Sequence, residues 1–211
     1  MRKTLFIVGA GSHSSVIIDT AKLLNYNIKF IIDINSRKNG NEIKYGIPVK
    51  GKSFLKKLKK NSLVFLAVGD NKLRKKYFDL LNTDHKFINL ISKSSKISKF
   101  CKLGKGIYIG PNVVINAGTI INNNCILNTS SVIEHDVLIG ESVHIGPAAV
   151  IAGKSKIGDQ SFIGLGSKII NNITIGKKVE LGAGSLVVKD LKSNLSYYGV
   201  PAKKKKFIKS K

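Results

Sequence analysis

The chain has 211 residues, 43% of them hydrophobic and 23% charged, which supports two modest domains with real cores and excludes a disordered or fibrous chain. Its formal charge is +24, yet 33 of its 36 basic residues are Lys; Arg, the residue of bidentate phosphate and base recognition, is nearly absent, and 18 Asn and 29 Ile point to A- and T-rich codons, so no nucleic-acid partner is expected. No apolar run reaches the ~20 residues of a bilayer span, and the opening MRKTLFIVGAGSHSS turns to Gly and Ser too soon for a signal peptide, so the expectation is a cytoplasmic protein with no membrane span.

Over residues 1–90 short β-rich runs alternate with helical stretches, the mark of parallel βα units. Strands are predicted at Thr4–Val8, Ile28–Ile32, Gly46–Val49 and Leu63–Val68, with Phe87–Ile91 closing the unit. Helices are predicted over Ser14–Asn25, burying Val16, Ile17, Thr20, Ala21 and Leu24, and over Phe54–Leu58 and Leu73–Leu81. The sum is an α/β half of a doubly wound, Rossmann-like fold, large enough for one nucleotide and short for two. Gly9, Gly11 and His13 follow the first strand and open the first helix, as a phosphate-cradling turn does, with Ser14 in place of a third Gly. Asp33 stands where a ribose-binding acid would. A rival reading, an NAD-dependent dehydrogenase, lacks both the second half of that fold and a substrate domain other than the repeat that follows.

Over residues 91–190 a six-residue period takes over: Ile97, Leu103, Ile109, Ile115, Ile121, Leu127, Ile133, Ile139, Ile145, Ile151, Ile157, Ile163, Ile169, Ile175, Leu181 and Val187 are all aliphatic. The residue four places after each is small or β-branched almost throughout, and the residue directly after is often Gly or Asn. A period of six suits neither a helix nor a two-sided strand; it suits a three-sided coil in which each hexad makes one short strand and one corner. The aliphatic residue points inward, and the Gly or Asn after it is expected to supply the left-handed backbone of the corner. Three hexads make a turn, so residues eighteen apart should stack. The N-terminal domain is expected to cover one end of the coil, and residues 191–211, a cap with a basic tail, the other. Cys101 and Cys125 have no partners at ligand or disulfide spacing and read as packing residues, with no metal site expected.

Together IVGAGSHSS, AVGDNKLR (residues 67–74), LNTSSVIEHDVLIG (residues 127–140) and YGVPAK (residues 198–203) resemble the PglD/NeuD group of hexapeptide-repeat sugar acetyltransferases over nearly the whole chain. The resemblance implies a left-handed β-helix, a homotrimer with sites shared between copies, and acetyl-CoA as co-substrate. It implies N-acetylation of a nucleotide-linked amino sugar, UDP-linked first, for surface-glycan synthesis. The alternatives are O-acetylation of sialic acid and a non-catalytic scaffold that binds sugar nucleotide. By the same resemblance His135 is the general base, Asp136 the acid that supports it, and His144 a contact on the acetyl-CoA side. Leu165 and Ala183 would line the groove for the pantetheine arm. Gly11, Ser12 and His13 would contact the sugar nucleotide, with Asp33, Ile34 and Gly69 around the nucleoside. PglD carries Glu where this chain has Asp136, and a second acid where it has Ile34. The chemistry asks for the same residue types: an attacking amine must lose a proton near neutral pH, which imidazole accepts, and a carboxylate stabilises the imidazolium formed. The stacking period puts Gly153 one turn above His135, where its N–H could meet the thioester oxygen.

Overall fold

The computed structural model describes residues 2–35 and 42–205. In chain order the first part forms β1 (Thr4–Val8), α1 (Ser14–Leu23), β2 (Asn27–Asp33), β3 (Ile43–Lys44), β4 (Ile47–Gly51), a 3-10 segment over Lys52–Lys57, β5 (Leu63–Leu66), α2 (Asn71–Leu81) and β6 (Lys86–Phe87). They build one sheet in the order β3-β4-β2-β1-β5-β6, parallel except for the edge pair β3 and β4. Leu5, Ile7 and Val8 of the central strand are fully buried, as a parallel strand covered on both faces requires. Between β1 and β5 the strand order reverses, so the loops after these two strands flank a crevice.

Two expectations for this part need correction. Val16 is 42% exposed and Ile18 is buried instead, because α1 is wedged between the sheet and the coil and its buried arc centres on Ile17, Ile18 and Ala21. The run over residues 87–91 is not one strand: Phe87 pairs with Val64 in the sheet, whereas Leu90–Ile91 already pairs with Tyr108–Ile109 in the coil.

The rest is a left-handed parallel β-helix. Two-residue strands recur every six residues, and pairs such as Val114 with Val132 or Ile139 with Ile157 hold a register of eighteen. We call the three faces C (strands at 90–91, 108–109, 126–127, 144–145, 162–163 and 180–181), D (from 96–97 to 186–187) and E (from 102–103 to 174–175). From Ile109 to Val187 the inward aliphatics are essentially inaccessible, and each contributes on the order of 1.5–3 kcal/mol. The small residues beside them include Ser155, Ser161 and Ser167, whose hydroxyls donate to backbone carbonyls of the next turn at 3.0, 2.8 and 2.9 Å. That satisfies polar groups in a dry core.

The corners differ from expectation. Left-handed backbone falls three residues after the aliphatic, not one, at every sixth position from Gly106 to Gly184, and Asn, Ser, Asp, Ala, Lys and Gln also adopt it. The Gly directly after the aliphatic serves close approach between turns: a β-carbon on Gly158 would stand 2.5 Å from the carbonyl carbon of Gly176. The N-terminal domain also lies elsewhere than expected. It covers face C, burying Leu90, Tyr108 and Ile126 against β1 and α1, and leaves Ile91, Ile97 and Leu103 at the open end half-buried. At the other end Leu191, Tyr197 and Ala202 join the core, and the register shortens to sixteen, with Leu181 beside Tyr197. The basic tail beyond residue 205 lies outside the described residues.

Candidate active site

The crevice between β1 and β5 is a cleft of about 300 Å³ formed by Gly9–His13, Ile34, Asn35, Ala67–Asp70 and Leu73. Gly9 takes φ +110°, and a β-carbon there would stand 2.7 Å from the Ala67 carbonyl oxygen, so only Gly lets the two loops close together. Gly11 and Gly69 face open space. Ser14 is buried and its hydroxyl donates to the Gly11 carbonyl at 2.7 Å, which fixes the turn where a third Gly was absent. Gly11, Ser12, His13, Ile34 and Gly69 therefore meet in one cleft. Asp33 sits just behind it at the end of β2, its carboxylate accepting from the Asn35 N–H at 2.9 Å.

His13 reaches past this cleft to face C of the coil. Its ring packs edge-on to Tyr108 (5.7 Å between centroids) and lies 6.2 Å from that of His144, which in turn stands edge-on to Phe162 at 5.1 Å. Burial, then the charge of Arg74, depresses the His13 pKa to about 4; the same two causes in the same order, then His13, bring His144 to about 3. Both rings are neutral at pH 7. The Gly69 backbone lies close enough to the His144 ring to favour its charged form slightly, and the ring's Nε2 lies 3.4 Å from the side-chain amide of Asn128. Nε2 of His13 is buried with no hydrogen-bond partner among the described residues.

His135 and Asp136 lie at a different place, the vertex between faces D and E, opposite face C. Asp136 has φ 59°, and Gly118 one turn earlier leaves room for its carboxylate. Its Oδ2 accepts from His135 Nδ1 at 2.9 Å. Both side chains are more than half exposed, so the pair adds little stability and acts chiefly to orient the ring. That bond puts the proton on Nδ1 and the lone pair on Nε2. The ring lies over Gly153, where a β-carbon would stand 2.6 Å from Nε2, and the Gly153 N–H donates to no protein group among the described residues. Leu165 and Ala183, stacked with Pro147, line the third location, the vertex between faces C and D. Leu165 is 57% exposed. Cys125 is sealed in the coil with its thiol pushed up to about 12 by burial, which removes it as a nucleophile.

One chain thus gathers the cleft residues and His144, but holds His135, Asp136 and Gly153 at the far vertex. Asn35, Leu73, Asn128, Tyr108 and Phe162 were missed from sequence. Tyr108, Ile126, His144 and Phe162 are eighteen apart, so the stacking period carried the signal for that column.

Residues 4–81 match the family described as the PglD N-terminal domain. Among curated protein sequences none matches the chain. A solved structure of PerB from Caulobacter crescentus, in complex with CoA and GDP-perosamine, is 32% identical with a TM-score of 0.88, covering 96% of this chain and 97% of that one. The acetyltransferase domain of PglB from Neisseria gonorrhoeae, in complex with acetyl coenzyme A, is 30% identical with a TM-score of 0.88, covering 97% and 100%. WeeI from Acinetobacter baumannii, at 23% identity and a TM-score of 0.87 over 96% and 100%, shares the fold.

Proposed function

The chain belongs to the PglD/NeuD-type family of hexapeptide-repeat sugar acetyltransferases, and from that membership we propose that it moves the acetyl group of acetyl-CoA onto the amino group of a nucleotide-linked amino sugar for surface-glycan synthesis. The observation that carries the reading is the set of His135: Nδ1 engaged by Asp136, and Nε2 lying against Gly153, whose N–H has no partner among the described residues. The amine attacks the thioester carbonyl, its proton passes to Nε2 of His135, and the Gly153 N–H donates to the oxyanion. Collapse breaks the C–S bond, and the thiolate of CoA takes up a proton as it leaves. Asp136 stabilises the imidazolium in between.

The acceptor is a UDP-linked amino sugar in the first reading. A GDP-linked one is the second, favoured by the GDP-perosamine in the Caulobacter relative. The reading implies a cytoplasmic enzyme, where both co-substrates are made; among the described residues no helix is long and apolar enough to cross a membrane.

A homotrimer is part of the proposal. The nucleotide cleft opens on face C and His135 stands on the opposite vertex, so a complete site needs the cleft of one copy and the vertex of another. The faces flanking that vertex carry outward Val114, Val132 and Val150 on D, and Ile120 and Leu138, 38% and 39% exposed, on E, the apolar surface a second coil would cover. Leu165 and Ala183 are assigned to the pantetheine arm from the family resemblance, with exposed Leu165 in support. The test is release of CoA thiol from acetyl-CoA with a panel of UDP- and GDP-linked 4-amino sugars and free sialic acids. Turnover with an amino-sugar nucleotide is expected; turnover with sialic acid alone, or with none of them, overturns the proposal.

A further inference from the structure

Arg74 has no role in the reaction described above, yet it is the most thoroughly bonded side chain between the two domains. It is 1% exposed in a chain where nearly every other base is a Lys on the surface. All five N–H groups of its guanidinium are used. Nε donates to the Asn124 carbonyl at 3.0 Å; Nη1 donates to the carbonyls of Val68 and Gly69 at 3.1 and 3.0 Å; Nη2 donates to Asn71 Oδ1 at 2.7 Å and to the Ser142 carbonyl at 2.9 Å. A Lys has three donors and no planar fork, so it cannot replace this arrangement.

The acceptors define what the arrangement does. Val68 and Gly69 are walls of the nucleotide cleft; Asn124 and Ser142 belong to the coil that carries His144. Gly69 belongs to both sides, because its backbone also lies close enough to the His144 ring to favour the ring's charged form. No carboxylate pairs with the guanidinium: among the described residues Asp70 is the charged neighbour of opposite sign, and its side chain caps α2 through the Leu73 N–H. The cation is thus held by neutral carbonyls, directly behind a cleft read as the seat of an anionic diphosphate, where low dielectric lets its field reach farther.

We propose that Arg74 is a positioning residue: by gripping the Gly69 carbonyl together with the coil, it sets the nucleotide cleft and the His144 ring in one fixed relation. This rests on the reading of the cleft as a nucleotide site, and the experiment separates the two. Binding of UDP and of GDP to the full chain is measured calorimetrically without acetyl-CoA, and steady-state kinetics follow, for the wild type, Arg74→Lys and Asn89→Ala. Asn89 ties the domains elsewhere, through the Gly104 carbonyl and the Ile107 N–H, and does not touch Gly69. Arg74→Lys should weaken nucleotide binding about tenfold, raise KM for the sugar nucleotide and leave KM for acetyl-CoA unchanged. Asn89→Ala should lower Tm with nucleotide affinity intact. If Arg74→Lys does not fold, Asn71→Ala, which takes one acceptor from Nη2 along with the Asn71 amide's own bonds to the Gln160 and Ser161 carbonyls of the coil, should weaken nucleotide binding about threefold. Wild-type affinity in a folded Arg74→Lys or, failing that, Asn71→Ala, or equal loss of affinity in Asn89→Ala, overturns the inference alone. A wild type that binds neither UDP nor GDP overturns the nucleotide reading with it.

Discussion

The imidazole of His135 lies over the α-carbon of Gly153, eighteen residues on, so closely that a β-carbon at 153 would stand 2.6 Å from Nε2 and 2.7 Å from Cε1. Gly153→Ala should therefore push the ring off its position while leaving the coil intact. The expected outcome is a fall in kcat of about 10²-fold with Tm nearly unchanged. Unaltered kinetics would show that the ring's seat on Gly153 does not matter to catalysis.

The bond from His135 Nδ1 to Asp136 is the second support of that ring. Asn tolerates the left-handed backbone that position 136 adopts, so Asp136→Asn removes the charge without disturbing the corner. It should lower kcat at least about tenfold and leave KM for acetyl-CoA in place. A variant as fast as the wild type would reduce the pair to a surface contact.

The six-residue beat was legible because one aliphatic per hexad has nowhere to go but inward, and Ile109 through Val187 obey it without a slip. The stacking of Gly153 on His135 followed from the same count. The corners were not legible: Lys154, Gln160 and Lys178 adopt left-handed backbone despite carrying no propensity for it, because the neighbouring turns impose the bend. Gly at the position after the aliphatic drew attention for its flexibility, whereas its function is to leave out a side chain. The division of the site between face C and the opposite vertex was out of reach, since it depends on which face the first domain covers, and no periodicity encodes that.

The two kinds of corner residue make opposite predictions. Gly158→Ala places a β-carbon 2.5 Å from the backbone of the next turn and should cost at least about 2 kcal/mol. Lys178 has φ 53°, so Lys178→Gly relieves strain and should be neutral or stabilising by about 1 kcal/mol. Chemical denaturation of the two variants checks both signs; equal destabilisation would contradict the account of the corners.

His13 and His144 tie stability to pH. In the unfolded chain each titrates near 6.5; in the folded one burial, aided by Arg74, lowers them to about 4 and about 3. Between those values the unfolded state binds more protons, so their contribution is complete above about pH 6.5 and is lost progressively as pH falls toward 3. Tm should drop between about pH 6.5 and 4.5, and the double variant His13→Gln, His144→Gln should flatten that slope. A wild-type Tm constant over this window would contradict the burial of neutral rings.

The most direct test joins chains damaged on opposite sides of the proposed site. Chains with His135→Ala, which keep the nucleotide cleft, are co-expressed with chains carrying His13→Ala, which keep the vertex, and hybrid trimers are purified on two tags and assayed for CoA release. If His135 of one copy serves the cleft of its neighbour, some sites in the hybrid are wild type throughout, and activity should return to a substantial fraction of normal although each parent is nearly inactive. Hybrids no more active than their parents would mean that each chain completes its own site.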